Sequence, residues 1–283
     1  MSTQTRTGGV IASAAALLAL AGPSAAQGLD VGDFAVQIDS SEGSPKIMTG
    51  LNTPDGTQSF PVRVNSGELG TYYAGFWNIG GDPGFESQSG VFEGQAGIGL
   101  DILGAARVWD GSDFDAIEPV ALVISQGAGL AFTPSVSDEF VPGPVIAAAN
   151  SIGKFHSHPD YSFEDVFTNQ TPRVGVWLLP LRVWTTQEGV APSDPIYIVL
   201  HQLADGAEVD AALEWTQANR VDPCPDRDLD GSGSVDMFDL LDYLGSYFDP
   251  ANPTLTADVD RDLDNDTDDL AGFVLALESS CDP

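Results

Sequence analysis

Basic residues are scarce in this 283-residue chain. Ten Lys plus Arg stand against 42 Asp plus Glu, for a formal charge of −32, and the only lysines are Lys46 and Lys154. Such a surface repels nucleic acid and anionic lipid, which removes both from the expected partners. Cysteine is nearly missing too, with two residues, and histidine is limited to three. Long apolar runs are missing altogether. The longest, residues 10–20, has 11 residues against the ~20 that a bilayer-spanning helix needs, so no membrane span is expected in the mature chain. With Arg6 ahead of it and Ser24-Ala25-Ala26 behind it, this run reads as a signal peptide, residues 1–26, cleaved before Gln27. The expected location is therefore secreted, extracellular or at the cell surface, by bacterial-type export.

The negative charge that is present is unevenly placed. Residues 222–283 hold 17 acids and two arginines, nearly half of the net charge in about a fifth of the chain. Solubility alone does not require such concentration; cation binding does. Ahead of this tail, residues 27–203 alternate Gly and Pro with short runs rich in Val, Ile, Phe, Tyr and Trp, at 34–38, 72–77, 105–109, 120–124, 174–179 and 196–200. Runs of that length between turn signals predict a mainly β fold, an antiparallel β-sandwich rather than βαβ units. Residues 204–222 form a linker with a short helix at 208–218, on which Val209, Ala212, Leu213 and Trp215 could face inward.

Residues 223–283 contain an internal repeat. DLDGSGSVDMFD at 228–239 and DVDRDLDNDTDD at 258–269 begin 30 residues apart, and each precedes an apolar stripe: Leu240, Leu241, Leu244 and Phe248, then Leu270, Phe273, Val274 and Leu277. The second stripe has i, i+3, i+4, i+7 spacing, one face of a helix. Ca²⁺ takes six to eight oxygens, which a twelve-residue loop can wrap around one ion. In the first loop Asp228, Asp230 and Ser232 fall at positions 1, 3 and 5, Gly233 at the sharp turn of position 6, Ser234 offers its carbonyl at 7, and Asp236 and Asp239 complete 9 and 12. In the second, Asp258, Asp260, Asp262, Asp266 and Asp269 fall at the side-chain positions and Asp264 at the carbonyl position, although Leu263 stands where glycine is wanted. A register shifted by two leaves no oxygen-bearing side chain at position 12, and the first register is preferred because Asp269-Leu270 then matches Asp239-Leu240.

With Asp rather than Glu at position 12 and one exiting helix per loop, the tail resembles a type I dockerin. That resemblance implies a small α-helical module binding two Ca²⁺ ions and attachment to a cohesin-like or other surface protein, often within polysaccharide-degrading systems. The residues before position 12 are Met237-Phe238 in one repeat and Thr267-Asp268 in the other, so the two faces are unlike. Cys224 and Cys281 flank the repeats, and an isolated pair in an exported chain is expected to close a disulfide, worth roughly 4 kcal/mol on the chain-entropy estimate.

In the front domain, His156 and His158 form an H-x-H that on a strand puts both imidazoles on one face, and His201 ends the run 196–200. Together they are candidate Zn²⁺ ligands, to which Asp160 or Glu164 could add a carboxylate. The residues Trp109-Asp110-Gly111, Phe155-His156-Ser157-His158, Gly175-Val176-Trp177 and 193–199 resemble a family of exported bacterial β-domain proteins, some repressed by zinc, which implies a zinc-associated surface protein. Catalytic patterns are weak. No G-x-S-x-G elbow supports a triad of Ser157 and His201, and no spacing picks a glycosidase pair from Asp101, Asp110, Asp113, Asp115 and Glu118. Trp77, Trp109, Trp177 and Trp184 read as core rather than as a glycan platform. The expectation is a non-catalytic exported calcium-binding protein that also takes a transition metal; the alternative is an enzyme or glycan-binding component of a polysaccharide-degrading system.

Crowded carboxylates repel one another without a cation, so calcium binding should appear as folding of the tail. The circular dichroism of a 222–283 fragment should gain helix between EDTA and millimolar calcium. Asp228→Ala should weaken that response more than Asp258→Ala, and a spectrum indifferent to calcium would overturn the loop assignment.

Overall fold

The computed structural model describes residues 30–41, 43–70, 77–169, 171–221, 229, 237–248, 270 and 273–274. The signal peptide, both cysteines and every calcium-loop ligand except Asp239 lie outside these residues, as does most of the expected strand at 72–77.

The chain is mainly β, in three sheets. The first runs β13 (His156–Ser157), β6 (Phe85–Glu86), β1 (Phe34–Asp39), β2 (Lys46–Asn52) and β3 (Gln58–Ser59). The second runs β11 (Gly129–Phe132), β10 (Leu122–Gln126), β14 (Asp160–Phe163) and β5 (Ile79–Gly80). The third runs β12 (Val145–Ala148), β7 (Gly97–Ile102), β15 (Gly175–Thr185), β16 (Ile196–Gln202) and β4 (Val64–Glu68), with β8 (Arg107–Val108) paired to β15 and β9 (Ala116–Ile117) paired to β8. Pairing is antiparallel except between β1 and β6 and between β16 and β4. The expected strand at 105–109 shrinks to the two residues of β8, because Ala105 and Ala106 are buried outside any ladder.

The period-2 alternation of the longest strands decides the layering. Trp177, Leu179, Leu181 and Val183 of β15 and Ile196, Ile198 and Leu200 of β16 face the main core, shared with Phe34, Ile98, Leu122 and Tyr161 of the other strands. Val176, Leu178 and Val199 face the other way. There they meet Trp109, Phe114 and α1 (Gly206–Thr216), which supplies Val209 and Ala212, with Leu213 and Trp215 packed partly buried beside them. The helix starts where Asp205 accepts from the Ala207 amide at 3.0 Å. It therefore covers the outer face of the third sheet, and the inward residues are those expected from its spacing. A π-helical turn, Gln217–Val221, follows it.

In the tail, α2 (Met237–Tyr247) buries Tyr243 in a ring stack with Phe273, centroids 4.4 Å apart. Leu229, Leu240, Leu244, Tyr247 and Leu270 pack around them. Of the expected stripes, Leu240, Leu244, Leu270 and Phe273 meet here, whereas Leu241, Phe248 and Val274 are exposed and Tyr243 and Tyr247 take the inward places. Asp239 is fully buried in the first turn of α2.

One polar network crosses the core. Glu118, 6% exposed, accepts from Trp177 Nε1 at 2.8 Å and lies 3.7 Å from Arg173, whose guanidinium stacks 4.3 Å from the Phe163 ring. Removing the carboxylate strands a buried indole N–H and leaves the half-buried Arg173 to Asp165 alone. Glu118→Ala should cost about 2–4 kcal/mol in urea denaturation, and a loss below about 0.5 kcal/mol would show that the network is dispensable.

Candidate metal centre

The first sheet carries a compact set of ligand atoms. Asp30, Asp33, His156 and His158 each offer one, and these atoms lie within 4.8 Å of one another. The H-x-H pattern does what its alternation implies. On β13, Ser157 turns inward and donates to the Ile146 carbonyl at 2.8 Å, while the imidazoles on either side converge with Nε2 atoms 2.8 Å apart.

The two aspartates come from a tight turn just ahead of β1. The Asp33 amide donates to the Asp30 carbonyl at 3.2 Å, and Gly32 between them has φ +92°, the left-handed value that the third position of a type II turn needs. One short turn thereby sets two carboxylates on the same side. β6 separates β1 from β13, so a side chain at its leading end would stand between the aspartates and the histidines. That residue is Gly84. A Cβ there would come within 2.8 Å of Asp33 Oδ2 and His158 Nδ1, so the absence of a side chain is what lets the four ligands meet. The loop leading to it lies flush on β4, where a Cβ at Gly67 would stand 2.0 Å from the Asp82 carbonyl. Tyr161 anchors the loop from beneath through a 3.0 Å hydrogen bond to the Pro83 carbonyl.

The hydrogen-bond partners assign the ring protons. His158 Nδ1 lies 3.0 Å from Asp82 Oδ1 and 3.1 Å from the Gly81 carbonyl, both acceptors. Nδ1 therefore carries a proton, and in the neutral ring the Nε2 lone pair faces the cluster. Asp33 is 3% exposed; its Oδ1 accepts from the Gly84 amide at 2.8 Å. Its Oδ2 is shielded from solvent and accepts no well-directed hydrogen bond, facing the imidazole nitrogens at 3.3 and 3.4 Å. Asp30 Oδ2 completes the set at 3.2 Å from His156 and 3.6 Å from His158. Glu86, fully buried opposite His156 in the β6–β13 ladder, pairs with Lys154 at 2.6 Å. That pair balances itself and leaves the aspartates uncompensated.

These spacings suit a tetrahedral ion. Bonds of 2.0–2.2 Å give ligand–ligand edges of about 3.3–3.5 Å. Four of the six edges lie between 3.2 and 3.6 Å. Of the other two, the carboxylate pair lies within 4.8 Å and the imidazole pair at 2.8 Å, a hydrogen-bond distance that an ion would widen by about half an ångström.

The structure brings together two of the three expected histidines. His201 lies on β16 in the third sheet, opposite Val176 and Glu68, outside the cluster. Burial lowers its pKa, which favours the neutral ring. Asp160 and Glu164, the carboxylates considered from sequence, also lie outside it; Asp160 sits opposite Ser125 in the β10–β14 ladder. The carboxylates that do take part, Asp30 and Asp33, were missed. Their signal was the D-x-G-D turn directly before the first strand. Ser157 and His201 stand on different sheets, so no triad forms from them. Asp101 pairs with Arg182 at 3.0 Å, and Asp110 caps its own turn through Ser112 and Asp113.

His156 has its pKa raised above 6.5, chiefly by the Asp33 carboxylate beside it, with Glu86 and Asp30 adding attraction and burial opposing. In metal-free protein this protonated ring contributes stability fully below the unfolded value near 6.5, and the contribution is lost as pH rises through the higher folded value. In EDTA, the His156 ring should titrate above 6.5 by NMR, and Asp33→Asn should move that midpoint down; an unmoved midpoint would show that Asp33 is not the cause.

No family model matches the chain, and no curated protein does. Among solved structures, one that it is similar to is the CooA pilin subunit from enterotoxigenic Escherichia coli, with a TM-score of 0.28 and 8% identity over 54% of this chain and 95% of that one. A likeness at that score carries no argument about the fold or the role of this chain, whose own geometry is the stronger guide.

Proposed function

We propose that this is an exported, non-catalytic metal-binding protein: a β-sandwich domain holding one transition-metal ion, of which Zn²⁺ fits best, displayed or tethered through a dockerin-like calcium-binding tail. The observation that carries the metal reading is the buried Asp33 Oδ2, which makes no well-directed hydrogen bond and lies 3.3–3.4 Å from two imidazole nitrogens. A buried carboxylate is costly unless positive charge faces it, and a cation between the rings supplies that charge. The two imidazoles favour a borderline ion such as Zn²⁺ over an oxygen-seeking ion such as Ca²⁺. Four protein ligands make a closed site, which suits binding rather than hydrolysis.

The tail supports the tethering half. Its loop pattern is that of a calcium module, and α2 leaves Met237, Phe238 and Leu241 more than half exposed, at 62%, 66% and 58%. Exposed apolar residues grouped on one short helix suit a protein partner better than open solvent.

Metal analysis of the mature chain tests the reading. Purified 27–283 should retain one zinc equivalent after dialysis. His156→Ala with His158→Ala should lose it while calcium uptake stays unchanged. Zinc content that survives the double substitution would exclude this centre.

A further inference from the structure

The four ligands are not equivalent, and the difference assigns them separate jobs. Asp33, His156 and His158 are each held from behind. Asp33 has its second oxygen on the Gly84 amide, His156 sits in the β13 ladder, and His158 has Nδ1 on Asp82 and Gly81. Their side chains are 4%, 18% and 31% exposed. Asp30 differs. Its side chain is 53% exposed, and no hydrogen bond to its carboxylate fixes its direction among the described residues. What fixes Asp30 is its backbone. Its amide donates to Glu86 Oε2 at 3.1 Å, and its carbonyl accepts from Asn52 Nδ2 at 3.1 Å. Asn52 in turn donates to the same Glu86 oxygen at 3.3 Å, and Lys154 holds the other oxygen at 2.6 Å.

We propose that Asp30 is the exchangeable fourth ligand of the centre, closing a fixed base of Asp33, His156 and His158, and that Glu86 is the positioning residue that keeps it in place. The inference rests on the metal reading above and adds its kinetics: ions enter and leave on the solvent side, where Asp30 gives way to a competing oxygen or nitrogen donor. Three protein ligands with one replaceable position are enough to retain zinc while the fourth changes hands. Because Glu86 is fully buried and touches the backbone of Asp30 rather than the ion, it governs how readily the carboxylate leaves without itself being a ligand.

Zinc transfer from the loaded mature protein to a chromophoric chelator, followed by stopped flow, reads this out. Asp30→Ala should still take up one zinc equivalent and should release it at least about tenfold faster than the parent chain. An Asp30→Ala protein that takes up no zinc, or releases it at the parent rate, overturns the division of roles. For Glu86, two variants that both remove the buried ion pair are compared. Glu86→Gln with Lys154→Met keeps an oxygen for the Asp30 amide, whereas Glu86→Ala with Lys154→Met does not. The alanine form should transfer zinc about tenfold to a hundredfold faster than the glutamine form, and equal rates would remove Glu86 from the mechanism. Should the alanine form fail to fold, amide exchange in the parent chain decides: the Asp30 amide should exchange more slowly with zinc than in EDTA, and equal exchange overturns the coupling. A parent chain that binds no zinc is a separate result, which removes the metal reading itself.

Discussion

Asp33 imposes the constraint on which the centre depends. A carboxylate that is 3% exposed, with one oxygen on a backbone amide and the other facing two imidazoles, is tolerable only if positive charge faces it. The nearby lysine cannot supply it, because Lys154 is spent on Glu86. Two sources remain, a proton on His156 or an ion between the rings. The raised His156 pKa is the first answer, and a tetrahedral ion is the second. They compete for the same nitrogen, so metal uptake and proton release are one event.

That arrangement depends on close backbone approaches more than on the ligands' own strands. β6 is two residues long, yet it lies between β1 and β13, and the leading glycine keeps the space above it open. The loop before it presses on β4 at Gly67, which puts Asp82 behind His158. The ligand set thus spans residues 30 to 158, while the supports behind it reach β4 of the third sheet and β14 of the second. Packing of the main core, which joins all three sheets, holds those supports in register.

Much of the fold was legible because it rests on periodicity. The apolar runs at 174–179 and 196–200 marked β15 and β16, and the alternation of a strand's side chains explains why one face meets the core and the other meets α1. The H-x-H pattern put two imidazoles on one face for the same reason. The other two ligands were hidden because no local period joins residues 30–33 to 156–158; only the parallel pairing of β1 with β6 and the antiparallel pairing of β6 with β13 brings them together. His201 failed as a ligand on the same ground. Proximity in sequence to a strand end says nothing about which sheet that strand joins, and β16 joins the third sheet.

The two ends of the chain make unlike demands on a cation. The tail loops offer oxygens alone, from carboxylates, hydroxyls and carbonyls, the donor set of a large hard ion with many ligands. The front cluster offers two nitrogens and two oxygens within 4.8 Å of one another, the donor set of a small borderline ion. A surface of charge −32 concentrates divalent cations of every kind near the protein, so charge alone cannot sort them. Donor chemistry and cavity size can. Calcium gains little from imidazole, whereas zinc gains most where nitrogens are. The donor sets at the two ends of the chain thus differ in kind, oxygen alone in the tail sequence and mixed nitrogen and oxygen at the front.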